Sequence, residues 1–211
     1  MAERTTGLMR PLRRPALYSW VQNLLGARAV REHVVREQLR PVPGERILDL
    51  GCGPGDLVEL LPEVEYLGVD RNPDYIRAAS ARAHPGAEFR CADVRTVELP
   101  AAGFDAVIAV GLMHHLADRD AALVFALAAA ALTDGGRLVT VDPAAAADQP
   151  VVARYLVARD RGLNVRPPRE LARLAEQSFA GVEVECRRGL ARVPYTHAVL
   201  RCAQPRRSAV P

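Results

Sequence analysis

The chain has 211 residues, 49% of them hydrophobic and 25% charged, with a formal net charge of +3. This is the ordinary mixture of a single globular domain large enough for a good core. No apolar run approaches the ~18 residues that a membrane helix needs, which excludes a helical membrane span and favours a cytoplasmic protein. All 28 basic residues are arginine. The start, Met1 to Arg14, is arginine-rich without the apolar region of a secretory leader. Cys52, Cys91, Cys186 and Cys202 show no C-x-x-C spacing, which argues against a metal site and suits reduced, buried thiols.

In chain order, Ala16 to Leu39 has the pattern of one or two helices, with Val30, Val34 and Val35 at helical spacing and Pro41-Val42-Pro43-Gly44 as the stop. Tyr18 and Trp20 at its start either close over a substrate or anchor the helix to a sheet edge. Ile47, Leu48 and Leu50 are the short apolar run of a strand buried on both faces. Gly51, Gly53 and Gly55 then allow a sharp turn and a close approach to a ligand, and Asp56 to Leu61 is expected to be a short helix. The turn is not a dinucleotide fingerprint, because G-x-G-x-x-G would need glycine where Asp56 stands. Nor is it a phosphate loop, which ends in Gly-Lys, since the chain has no lysine.

Glu65 to Asp70 is the expected second strand, and Asn72 and Pro73 start a helix after it. An acid at that strand tip, Asp70, suits the vicinal hydroxyls of a ribose, because a carboxylate offers two acceptor oxygens. Glu88 to Val94 is a third strand with Asp93 near its end, and Phe104 to Val110 a fourth. Asp118 begins an alanine-rich helix with Gly135-Gly136 as its stop, and Arg137 to Asp142 is a fifth strand. Arg154, Arg159, Arg161, Arg166 and Arg169 follow, either as an anion-attracting cluster or, the better fit, as a solvated helix face. After a helix over Pro168 to Phe179, Val182 to Cys186 and Tyr195 to Leu200 are joined too closely for a parallel crossover, so they form an antiparallel hairpin.

Four stretches combine. Asp49 to Gly55 reads D-x-G-x-G-x-G, and the acids Asp70 and Asp93 follow at successive strand tips. Phe104 to Leu116 reads F-D-x-V-x-x-x-x-x-x-H-H-L, and Gly135 to Asp142 reads G-G-x-L-V-x-x-D. Together they resemble the class I S-adenosylmethionine-dependent methyltransferases over roughly residues 44 to 202. The resemblance implies an α/β fold: a Rossmann-like doubly wound sheet of seven strands, six parallel and the last antiparallel. An N-terminal helical lid would occupy residues 1–43 and a disordered tail residues 203–211.

The implied cofactor is S-adenosyl-L-methionine. Gly51, Cys52, Gly53 and Gly55 would cradle it with Asp49 as buttress, Asp70 and Arg71 would lie at the ribose, Asp93 and Val94 at the adenine, and Gly111 at the methyl end. His114, His115 and Asp142 are the catalytic candidates, either as acid–base groups or, for the histidine pair, as loop structure. Tyr18, Trp20, Arg192 and Tyr195 are the substrate-binding candidates. The implied activity is methyl transfer to an O, N or C atom of a small molecule, with secondary metabolism as an expected setting and no nucleic-acid partner. The alternatives are a nucleic-acid methyltransferase, a non-catalytic binder of the same cofactor, and a nicotinamide-dependent oxidoreductase.

Overall fold

Alternating apolar strands and amphipathic helices build a three-layer α/β domain in this computed structural model, which describes residues 26–145, 149, 164–191 and 196–206. The elements are α1 (Ala27–His33, continued by a wider π-type turn, Val34–Leu39), β1 (Arg46–Leu50), β2 (Glu65–Asp70), α2 (Pro73–Ser80), β3 (Ala87–Cys91), β4 (Phe104–Val110), α3 (Asp118–Ala131), β5 (Leu132–Pro143), α4 (Pro168–Ala175), β6 (Phe179–Arg188) and β7 (Thr196–Pro205). The seven strands lie in the order β3-β2-β1-β4-β5-β7-β6. Strands β1 to β5 pair in parallel, and β7 runs antiparallel to both of its neighbours, β5 and β6. The sheet is therefore the expected one, six strands parallel and the last reversed.

Both faces are buried. Leu48, Leu50, Val107 and Leu138 pack with Phe125 of α3 and Leu171 of α4 on one side. Ile47, Ile108, Val139 and Val199 pack with Val34, Val35 and Leu39 on the other. The described part of the expected N-terminal lid, Ala27 to Leu39, is thus a core element, with Val34 and Leu39 almost fully buried. Arg137 clamps it from below: its guanidinium donates to the Leu39 carbonyl at 2.7 Å and to Glu45 Oε1 at 2.7 Å. Tyr18 and Trp20 lie outside the described residues.

Two boundaries and the burial of two cysteines differ from expectation. Only a single 3₁₀ turn, Val58–Leu60, follows the glycines, because the Asp56 side chain is taken up by arginines rather than capping a helix. Strand β7 runs on to Pro205, so Ala203 to Pro205 belong to the sheet and not to a disordered tail; Ala203 pairs with both Arg137 and Gly181. Cys91 and Cys186 are exposed, whereas Cys52 and Cys202 are buried, and all four are free thiols. Among the described residues no helix is long and apolar enough to cross a membrane.

Because β1, β2, β3, β4 and β5 are parallel, their C-terminal ends share one edge, and the loops there form the cleft of such folds. The core behind it is close-packed around Phe125, which is fully buried. Phe125→Ala should cost about 3–5 kcal/mol, read as a lowered urea midpoint with an unchanged slope.

Candidate active site

Strand β1 delivers the chain into a turn in which Gly51, Gly53 and Gly55 all take positive φ (+79°, +55° and +75°). Side chains could not follow. A Cβ on Gly51 would stand 3.1 Å from Leu112, and one on Gly55 3.0 Å from Ala79, whereas one on Gly53 would meet nothing within 4 Å. The middle glycine thus faces open space, where a ligand can approach the backbone. The turn is tied to β2: the Gly51 N–H donates to the Val69 carbonyl at 2.8 Å, and the Gly53 N–H to Asp70 Oδ2 at 3.1 Å. The other Asp70 oxygen accepts from the Asn72 N–H at 2.8 Å, and Asn72 caps α2.

Arginines that the sequence did not single out brace the turn from behind. Arg31 of α1 pairs with Asp56 at 2.9 Å. Arg82 pairs with Asp56 and Glu59 and donates from Nε to the Pro54 carbonyl at 2.8 Å. Beneath it, Asp49 is buried and accepts from the Tyr66 hydroxyl at 2.6 Å. Burial pushes the Asp49 carboxyl up to about 7, opposed by that hydrogen bond. The Cys52 side chain turns into the core, where burial pushes its thiol far up, so it is no nucleophile.

Asp93 lies just past β3, two residues beyond Cys91, and its carboxylate is gripped by Arg95, which holds it down at about 2. Arg71 contributes its charge from the tip of β2, and Val94 is buried against the core. Gly51, Gly53, Asp70 and Asp93 are thus presented along one edge of the sheet.

The opposite half of that edge is polar and buried. After β4, Gly111 turns with φ +68° and a 3₁₀ turn, Met113–His115, carries the histidine pair. Asp142 near the end of β5 is buried; its Oδ1 accepts from the His114 N–H at 3.1 Å and stands 2.8 Å from His114 Nδ1. Its Oδ2 is buried with no hydrogen-bond partner among the described residues. The His115 ring lies 4.1 Å from that of His114. His197, absent from the sequence candidates, enters from β7 opposite Pro143; burial lowers it to about 4, opposed by Asp142. A small cavity here is lined by Met113, His114, Asp142, Asn164, Arg166 and Leu171, among others. Arg192 and Tyr195 lie outside the described residues.

Arg166 corrects an expectation. It is not on a solvated helix face but largely buried, donating to the carbonyls of Met113 (3.0 Å), Asn164 (3.1 Å) and Leu116, and pairing with Asp118 at 2.8 Å. It clasps the histidine turn to the chain beyond β5. Among the described residues, no group of three or more His, Cys, Asp or Glu could hold a metal ion.

Fold and cleft together define a Rossmann-like α/β domain with a glycine turn at the C-terminal edge of its parallel strands. The family described as methyltransferase domain matches residues 47–136. An uncharacterized methyltransferase of Mycobacterium tuberculosis is 36% identical over 104 residues, 48% of this chain and 52% of its own length. An O-methyltransferase of Penicillium expansum is 33% identical over 143 residues, 63% of this chain and 50% of its own. A phosphoethanolamine N-methyltransferase 2 of Haemonchus contortus, solved with S-adenosyl-L-methionine, superposes with a TM-score of 0.70 at 15% identity, covering 83% of this chain and 52% of that one. The chain spans about half the length of these relatives. The matched segment is thus similar to methyltransferase domains, and the sheet shares the fold of a chain solved with S-adenosyl-L-methionine.

Two outcomes test the cofactor half. Asp70→Ala should weaken S-adenosylhomocysteine binding by at least about tenfold by calorimetry, since hydrogen bonds to a charged group are worth ~1.5–3 kcal/mol. For Asp49, the folded carboxyl stays protonated up to about pH 7, while the unfolded one ionises near 4. Its contribution to stability is therefore full below about pH 4 and is lost as pH rises through 7. The stability of Asp49→Asn relative to wild type should accordingly rise across that window, followed by urea midpoints at successive pH values.

Proposed function

We propose that the chain transfers the methyl group of S-adenosylmethionine to a hydroxyl oxygen of a small molecule. The observation that carries this is the buried His114–Asp142 pair beside Gly111, at the end of β4 where the donor's methyl would be presented. When bound, the cofactor supplies a methyl group on a sulfonium sulfur, already activated for displacement. Gly51, Gly53 and Gly55 would hold the methionine part, Asp70 the ribose and Asp93 the adenine.

With Nδ1 committed to Asp142, the neutral imidazole of His114 is basic at Nε2, and Asp142 fixes both tautomer and ring orientation. His114 accepts the hydroxyl proton as the oxygen attacks, and the Asp142 carboxylate stabilises the imidazolium that forms. The His115 ring lies against that of His114, tilted by 38°. Alignment supplies the rest, because well-oriented reactants can gain ~7–11 kcal/mol over free encounter. Oxygen is favoured over nitrogen or carbon because an alcohol must lose a proton to become a good nucleophile, and the name of the P. expansum relative points the same way. The modest net charge of +3 gives little support to a nucleic-acid acceptor.

Labelled donor offered with a panel of hydroxylated small molecules, and in parallel with bulk RNA and DNA, tests the acceptor class. Label should enter the small molecules. His114→Gln should lower kcat by about 10²–10⁴-fold while S-adenosylhomocysteine affinity holds. Label entering nucleic acid, or an unimpaired His114→Gln, would overturn the proposal.

A further inference from the structure

Asp93 is not an open carboxylate waiting for a ligand. Its Oδ1 accepts from the Arg95 N–H and from Arg95 Nε, both at 2.9 Å, and its Oδ2 accepts from Arg95 Nη2 at 2.6 Å. The backbone is fixed as well, with the Asp93 carbonyl accepting from the N–H groups of Thr96 and Val97 at 3.0 and 2.9 Å. The guanidinium is itself anchored from α3, where Arg95 Nη1 donates to Asp120 Oδ2 at 3.0 Å. Each carboxylate oxygen has two lone pairs. Oδ1 is filled by its two donors, while Oδ2 has one donor among the described residues, so a single acceptor position remains on a partly exposed side chain.

We propose that Arg95 is a specificity-determining residue: it fixes the Asp93 carboxylate so that its one remaining acceptor position meets an exocyclic amino group, and so selects a 6-aminopurine cofactor over its 6-oxo counterpart. The inference rests on the reading that the cleft holds S-adenosylmethionine. An amino group donates to that lone pair, whereas a purine carbonyl would set two acceptors against each other and leave both desolvated and unpaired. The fork matters. Two parallel N–H groups fix a carboxylate plane, and an ammonium cannot. Asp120 completes the arrangement by holding the guanidinium without covering Asp93. Arg95 touches Asp93 rather than the cofactor in this arrangement and acts as a positioning residue.

The test is calorimetric titration of the full chain and its variants Arg95→Ala and Arg95→Lys, with S-adenosylhomocysteine and with its deaminated analogue S-inosylhomocysteine. Wild type should prefer the adenosyl ligand. Arg95→Ala should lose about tenfold in affinity for the adenosyl ligand, the worth of one hydrogen bond to a fixed carboxylate, and keep its affinity for the inosyl ligand. The inosyl ligand thus also reports that the fold is intact. Arg95→Lys should recover only part of the preference. Equal losses for both ligands, no loss for either, or a gain for the adenosyl ligand would overturn the inference while leaving the cofactor assignment standing. Failure of the wild type to bind either ligand would instead overturn that assignment and this inference with it.

Discussion

The carboxylate of Asp70 holds the cleft together. One oxygen takes the N–H of Gly53 and the other the N–H of Asn72, so a single side chain joins the glycine turn to the entry of α2. A turn of positive-φ glycines has little stiffness of its own, because glycine loses more conformational freedom on folding than any other residue. The constraint must come from outside the turn. Asp70 supplies it in front, Arg31 and Arg82 supply it behind through Asp56, and the Val69 carbonyl supplies it at the strand. A carboxylate offers about four acceptor positions, so bracing the turn does not by itself preclude the proposed contact with a ribose.

What the sequence disclosed is what short-range pattern encodes. Glycines at alternate positions after an apolar run, and acids closing two successive strands, have meaning within a few residues of themselves, and the parallel sheet brings them to one edge. The arginines were not legible for the opposite reason. In a chain whose 28 basic residues are all arginine, residue type carries no contrast, and apart from Asn164 the partners of Arg82 and Arg166 lie 23 to 53 positions away. Arg166 was assigned to a helix face by proximity to other arginines. Its burial follows instead from the carbonyls of Met113 and Leu116 at either end of the histidine turn, which a planar five-donor group can reach together. His197 was missed although a signal existed, since it is a polar residue at the start of a strand that the hairpin returns from the cofactor edge.

The polar half of the edge follows from charge placement. Asp142, His114 and His197 are all nearly excluded from water, and burying charge is costly unless it is paired. His197 stays neutral because burial outweighs the attraction of Asp142 and the charge of His114 adds to the penalty. Under the proposed mechanism, a proton taken up by His114 would place its positive charge 2.8 Å from Asp142 Oδ1, with no like charge on His197 to oppose it. The second histidine would thus leave the carboxylate to a single cation, and Asp142 Oδ2, without a hydrogen-bond partner among the described residues, could accept from an entering donor.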